Sequence, residues 1–172
     1  MTKKLDNIEG GYPNISDHLI YEMVEGKPIY YRGYQAYLNG NKQLEELKGS
    51  SYLQSAIITH LVFILMSKLN SNEYRVLTNE LGLQFKNGWR AVDIAIVEKE
   101  QLRLVQEKNK YLNIPPKIVI EIDTKAEMET PDDLYGYFHH KTEQLLEFGV
   151  EKVIWIFTSS EKVMIAEQQQ DW

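Results

Sequence analysis

The chain has 172 residues, a formal charge of −6 and no cysteine. That length suits one ordinary domain with a full core, and the lack of cysteine excludes a disulfide framework and a thiolate metal site. The acidic balance argues against strong general affinity for nucleic acid but leaves room for a local basic groove.

Residues 1–19 read as a polar, extended lead-in, with Gly10-Gly11 and Pro13. Its start, Met1-Thr2-Lys3-Lys4-Leu5-Asp6, lacks the apolar core of a signal peptide. No apolar run in the chain approaches the ~20 residues of a membrane span. A cytoplasmic protein with no membrane partner is therefore expected. Residues 20–167 read as one domain and 168–172 as a polar tail.

Tyr21 to Val24 and Pro28 to Tyr31 form a hairpin pattern around Gly26. A helix follows, capped by Ser50 or Ser51, with Leu53, Ile57, His60, Leu61, Ile64 and Leu65 at helical spacing. His60 on that apolar stripe reads as a core histidine. Tyr74–Thr78 and Leu81–Phe85 read as one strand or as a pair kinked near Gly82, and Asn87-Gly88 as a hairpin turn. Arg90–Val97 is the next strand, Glu98–Lys108 a charged segment with a short helix, and Lys117–Asp123 another strand. The second long helix has Thr130 as N-cap, Pro131 at its first position, Asp132 and Asp133 at its positive end, and Gly149 beyond its last turn. Lys152–Phe157 and Lys162–Ala166 close the domain as a hairpin. The fold class expected is α/β, with a mixed central sheet flanked by helices and an N-terminal hairpin.

The chemistry is carried by acids where buried strands should have none. Asp93 interrupts Ala91-Val92-Asp93-Ile94-Ala95-Ile96-Val97, and Glu121 interrupts Ile118-Val119-Ile120-Glu121-Ile122. Both runs have the continuous apolar character of strands covered on two faces. A carboxylate there must be paired, metal-bound or protonated. If the strands are neighbours, the alternation of side chains lets Asp93 and Glu121 converge. Hard oxygen ligands without thiolate suit Mg²⁺, with Mn²⁺ as substitute. Lys141 lies within the apolar stripe of Leu134, Tyr137, Phe138, Leu145 and Phe148 on the second helix. It must either snorkel past its neighbours or reach an anion beneath the helix.

Each residue has a plainer alternative: Asp93 paired with Arg90, Glu121 with Lys125 or Lys141, Lys141 as an apolar stem. His139 and His140 read as helix surface. The tyrosines at 30, 31, 34 and 37 could stack bases, although core and lid is the favoured reading.

Four segments stand in a telling order: Tyr21-Glu22-Met23-Val24-Glu25-Gly26, Arg90-Ala91-Val92-Asp93, Pro116-Lys117-Ile118-Val119-Ile120-Glu121, and Lys141 followed by Gly149-Val150-Glu151-Lys152-Val153-Ile154-Trp155. Together they resemble the PD-(D/E)XK nuclease superfamily. That superfamily sets an Asp on one core strand and an acidic-x-Lys triplet on the next. Here position 123 is Asp where that lysine would stand. The chain is more similar to the superfamily's Uma-two branch of restriction-endonuclease-like proteins, which moves the lysine to the following helix, and the match spans about residues 20–167. The resemblance implies a restriction-endonuclease-like core with Mg²⁺ held by Asp93 and Glu121, and Lys141 assisting. Glu80 would be a further ligand or support, DNA the substrate, and a homodimer the assembly. Val92 replaces a usual proline, and Gln54 or Ser55 stands where a histidine is frequent. Asp123-Thr124-Lys125 replaces a Ser-Pro turn, which opens a second reading with Asp123 and Lys125 in the site. The rival function is a catalytically inactive nuclease-fold module for DNA binding or protein interaction.

Overall fold

The computed structural model describes residues 15–127 and 131–170, the side chains of 131–134 excepted. Most of the polar lead-in, the Thr130 cap, the side chains of Asp132, Asp133 and Leu134, and the last two residues of the tail lie outside the described residues.

The N-terminal hairpin forms as expected, β1 (Ile20–Val24) pairing with β2 (Lys27–Tyr30). Two short helices follow, α1 (Tyr34–Leu38) and α2 (Leu44–Lys48), then the long α3 (Tyr52–Lys68). Ser51 caps α3, its hydroxyl accepting from the Gln54 amide at 3.1 Å. Strands β3 (Tyr74–Phe85) and β4 (Gly88–Glu98) pair along their whole length. The one-turn α4 (Lys99–Leu102) leads through a loop to β5 (Ile118–Ile122), and then come α5 (Pro131–Phe148), β6 (Lys152–Phe157) and β7 (Lys162–Glu167).

The seven strands make one mixed sheet in the order β2-β1-β4-β5-β6-β7, with β3 also paired to β4. The β5–β6 pair is parallel and the crossover between them carries α5. The acid-bearing strands are central neighbours. Ile94 faces Ile120 and Ala95 faces Val119, so one further step of that register sets Asp93 opposite Glu121.

Strand β4 has one edge filled by β3 and the other shared. On the shared edge β1 pairs at Trp89 and β5 at Ile94 to Ile96. Between those points the sheet forks. Gly88 permits the first contact: a Cβ there would lie 2.0 Å from the Met23 carbonyl oxygen. Gly82 marks no kink. It lets the Tyr111 ring lie flat on the strand, where a Cβ would come within 2.2 Å of that ring. The irregularity in β3 sits earlier, between Thr78 and Leu81.

The two faces are covered differently. Ile94, Ile120 and Ile122 pack under α3 against Ile57, Ile58, Leu61, Val62 and Leu65. Ala91, Ala95, Val119, Val153 and Trp155 belong to the core shared with Tyr137 and Leu145 of α5. Asp93 and Glu121 follow the alternation of that second group. His60 is not a core histidine; it lies on the exposed side of α3.

Candidate active site

The fork would leave backbone groups unpaired inside the protein, and side chains fill the gap. The Ala91 amide donates to Oε1 of Glu22 at 3.2 Å, and the Ala91 carbonyl accepts from Nζ of Lys141 at 2.7 Å. The Ile122 amide donates to Oδ2 of Asp93 at 2.8 Å. Side-chain carboxylates and an ammonium thus stand in for strand partners.

Lys141 is the hub. Its Nζ lies 2.8 Å from Oε1 of Glu22 and 2.9 Å from Oε1 of Glu121. Its side chain is 1% exposed, against 0% for Glu22 and 2% for Glu121. The lysine does not snorkel; it reaches anions beneath the helix. Oε1 of Glu121 is nonetheless fully buried without an aligned hydrogen-bond donor. Sequence reasoning did not place Glu22 in the site, although it quoted the motif that contains it. Oε2 of Glu22 accepts from Nη1 of Arg90 at 2.8 Å and from the Tyr137 hydroxyl at 2.9 Å. Arg90 therefore pairs with Glu22 rather than Asp93. Its remaining nitrogens donate to Oε1 of Gln144, at 2.9 and 2.6 Å, and to Nδ1 of His140 at 3.1 Å. A guanidinium only donates, so Nδ1 of His140 accepts and its proton sits on Nε2. His140 is thus tied to the cluster from the helix surface. The signal that could have identified Glu22 was the same as for Glu121: an acid on an otherwise apolar strand.

The charges do not balance. Glu22, Asp93 and Glu121 stand against Arg90 and Lys141, one carboxylate in excess. Burial pushes the Glu121 carboxyl up to about 8, with Lys141 opposing and Asp93 adding to the rise. Burial also raises Asp93, against the Ile122 amide, Lys141 and Lys125, with Glu80 adding. Burial acts to lower Lys141, but Glu121 and Glu22 together outweigh it and leave the ammonium well above its ordinary range. The asymmetry is physical: the lysine meets two carboxylates, whereas Glu121 meets one cation and a neighbouring acid.

Asp93 also lines a solvent-open pocket of about 270 Å³, with Lys48, Ser55, Asn79, Glu80 and Lys125 around it. Thr78 faces Ile94 and Leu81 faces Val92, so the β3 irregularity leaves Asn79 and Glu80 opposite Asp93. Both have left-handed backbones, with φ of 70° and 53°. For non-glycine residues that conformation costs roughly 1–3 kcal/mol each and is typical of bulges that re-aim side chains beside functional sites. Glu80 pairs with Nζ of Lys125, which also donates to the Lys48 carbonyl at 3.0 Å. Asp123 is turned elsewhere: its two oxygens accept from the Thr158 amide at 2.9 Å and the Thr158 hydroxyl at 2.6 Å. The structure thus gathers Asp93, Glu121 and Lys141 at the fork, sets Glu80 and Lys125 at its mouth, and leaves Asp123 holding the end of β6.

Among the described residues no three His, Asp or Glu side chains form a ready cation cage. Mg²⁺ needs only one or two carboxylates and keeps its waters. The oxygen donors and the excess carboxylate fit an ion of that kind on Asp93 and Glu121.

No protein-family model matches the chain, and no curated protein does. Among solved structures the chain is similar to one from Anabaena variabilis ATCC 29413 described as a "putative nuclease belonging to DUF820". The TM-score is 0.61 at 21% identity, over 87% of this chain and 73% of that one. At that identity the likeness establishes the fold, which is the nuclease-like α/β fold of this neighbour.

Proposed function

We propose that the chain is a metal-dependent phosphodiesterase of the PD-(D/E)XK superfamily, Uma-two branch, that cuts DNA in the cytoplasm. One observation carries the reading: Asp93 and Glu121, from adjacent central strands, meet at the fork with Lys141 beneath and an open pocket at Asp93. The nuclease-like fold of the structural neighbour supports it. Asp93 and Glu121 would hold Mg²⁺ or Mn²⁺, which when bound would lower the pKa of a coordinated water and offset charge on the phosphate. Lys141 is a positioning residue. Enclosed by Glu22, Glu121 and Ala91, it fixes the Glu121 carboxylate and cannot itself touch a phosphate. Glu80 and Lys125 line the mouth through which a phosphate approaches. No helix among the described residues is long and apolar enough to cross a membrane. The homodimer is proposed by analogy with nucleases that cut both strands; the exposed Tyr52, Phe63 and Met66 along α3 offer it an apolar face.

The test is nicking of supercoiled plasmid with Mn²⁺, with and without Asp93→Asn. Metal-dependent nicking that the substitution abolishes supports the proposal. The same nicking by parent and variant defeats it. A second reading, the inactive nuclease-fold module for DNA binding or protein interaction, is favoured by the sealed position of Lys141. It requires salt-dependent DNA binding that ignores metal.

A further inference from the structure

The site has two lysines in different circumstances. Lys141 is walled in by three fixed acceptors. Lys125 stands at the mouth, 12% exposed, on the wall that also carries Asp93. Its main chain is pinned: the Arg32 amide donates to the Lys125 carbonyl at 2.6 Å, and Tyr31 bridges to Ala126. Its side chain ends between the Glu80 carboxylate and the Lys48 carbonyl. The bulge in β3 brings Glu80 to this point opposite Asp93, so Lys125 pairs with one mouth carboxylate and faces the pocket that the other lines.

We infer that Lys125 is a built-in counter-ion of the mouth carboxylates, which a divalent cation expels from Glu80 and frees toward the incoming phosphate. The inference rests on the metal-dependent reading above. A doubly charged ion at Asp93 repels the ammonium beside it and supplies the positive charge that Glu80 otherwise takes from Lys125. The released four-carbon stem has the reach and rotatable donors to contact a phosphate oxygen in the pocket. Lys141 supplies fixed charge, whereas Lys125 supplies charge that trades places with metal.

The probe is Mn²⁺ alone, without nucleic acid. Calorimetric titration compares the parent protein, Asp93→Asn and Lys125→Met, which keeps the apolar stem. In parallel, amine acylation of the parent protein is mapped by mass spectrometry with and without Mn²⁺. The expected result is tenfold or greater tightening of Mn²⁺ binding in Lys125→Met. Severalfold faster acylation of Lys125 when Mn²⁺ is present is expected too, Lys141 staying unlabelled throughout. Binding that Asp93→Asn removes, but that is no tighter in Lys125→Met and leaves Lys125 no more reactive, overturns the counter-ion role and spares the metal site. Absence of Mn²⁺ binding in both parent and Lys125→Met overturns the metal reading, and this inference with it. Should Lys125→Met fail to fold, the acylation result on the parent protein decides.

Discussion

Between the sheet and α5 lie Glu22, Arg90, Glu121 and Lys141, each 2% exposed or less; beneath α3 the sheet presents Ile94, Ile120 and Ile122. The α5 side is directional. Each buried charge has named partners, and one strand shift or helix rotation would strand several of them. The α3 side is held by non-directional apolar burial. Gln54 is the one buried residue of α3, its amide donating to the Ile122 carbonyl at 3.0 Å, while Phe63 and Met66 on the outer side stand 71% and 67% exposed. A fold can thus keep its polar pairing on one face and leave the other mainly to size and shape.

The largest expected effect comes from breaking the polar side. Lys141→Met leaves Glu22, Glu121 and the Ala91 carbonyl without their cation and should cost about 3–5 kcal/mol in urea unfolding. Ile120→Val on the other face should cost only about 0.5–1.5 kcal/mol. Equal losses would remove the distinction between the faces. Next, Asp93→Asn keeps an acceptor for the Ile122 amide but loses the charge. Metal-dependent cleavage should fall by on the order of 10²-fold or more, with the unfolding midpoint not reduced.

A pH series sharpens the comparison further. The folded-state pKa of Glu121, about 8, lies above its unfolded value near 4.5. Its contribution to stability is therefore full below pH 4.5 and is lost as pH rises through 8. The urea midpoint should decline over that window, and Glu121→Gln should flatten the decline. Mn²⁺ affinity should rise over the same window, because the ligand must lose its proton. The smallest effect on stability belongs to the outer side of α3. Phe63→Ser with Met66→Ser should change unfolding by less than about 0.5 kcal/mol for each substitution, yet, if the proposed homodimer uses this face, shift sedimentation toward monomer. Unchanged sedimentation would place any dimer contact elsewhere.

Much of this was legible in the chain because the signals were local. The cap at Ser51, the turn at Gly26 and the apolar runs around Asp93 and Glu121 each declare themselves within a few residues. The adjacency of the two acid-bearing strands was only a condition in the sequence, and the register supplies it. What escaped depends on residues far apart. Gly82 looked like a break because nothing nearby names Tyr111 as the ring lying on it. The bulge at Asn79 and Glu80 has no glycine to announce it. Glu22 passed as a motif letter because its partners, Arg90, Tyr137 and Lys141, come from two other elements. Lys141 was read as snorkelling or reaching an anion; that it meets two carboxylates and the Ala91 carbonyl at once depends on three separate strands.

The Glu22–Tyr137 hydrogen bond joins residues 115 positions apart. Once the chain has been synthesised past β4, Glu22 and Arg90 can already meet, but the ammonium that completes them has not yet been made. The two sheet arms therefore stay hydrated until the last helix docks. Closing so long a loop adds little extra entropy cost over a shorter one, since that cost grows only with the logarithm of length, but it makes the step non-local and slow. Assembly of the candidate site thus becomes a late event in folding, and a nascent chain stalled before that helix should lack it.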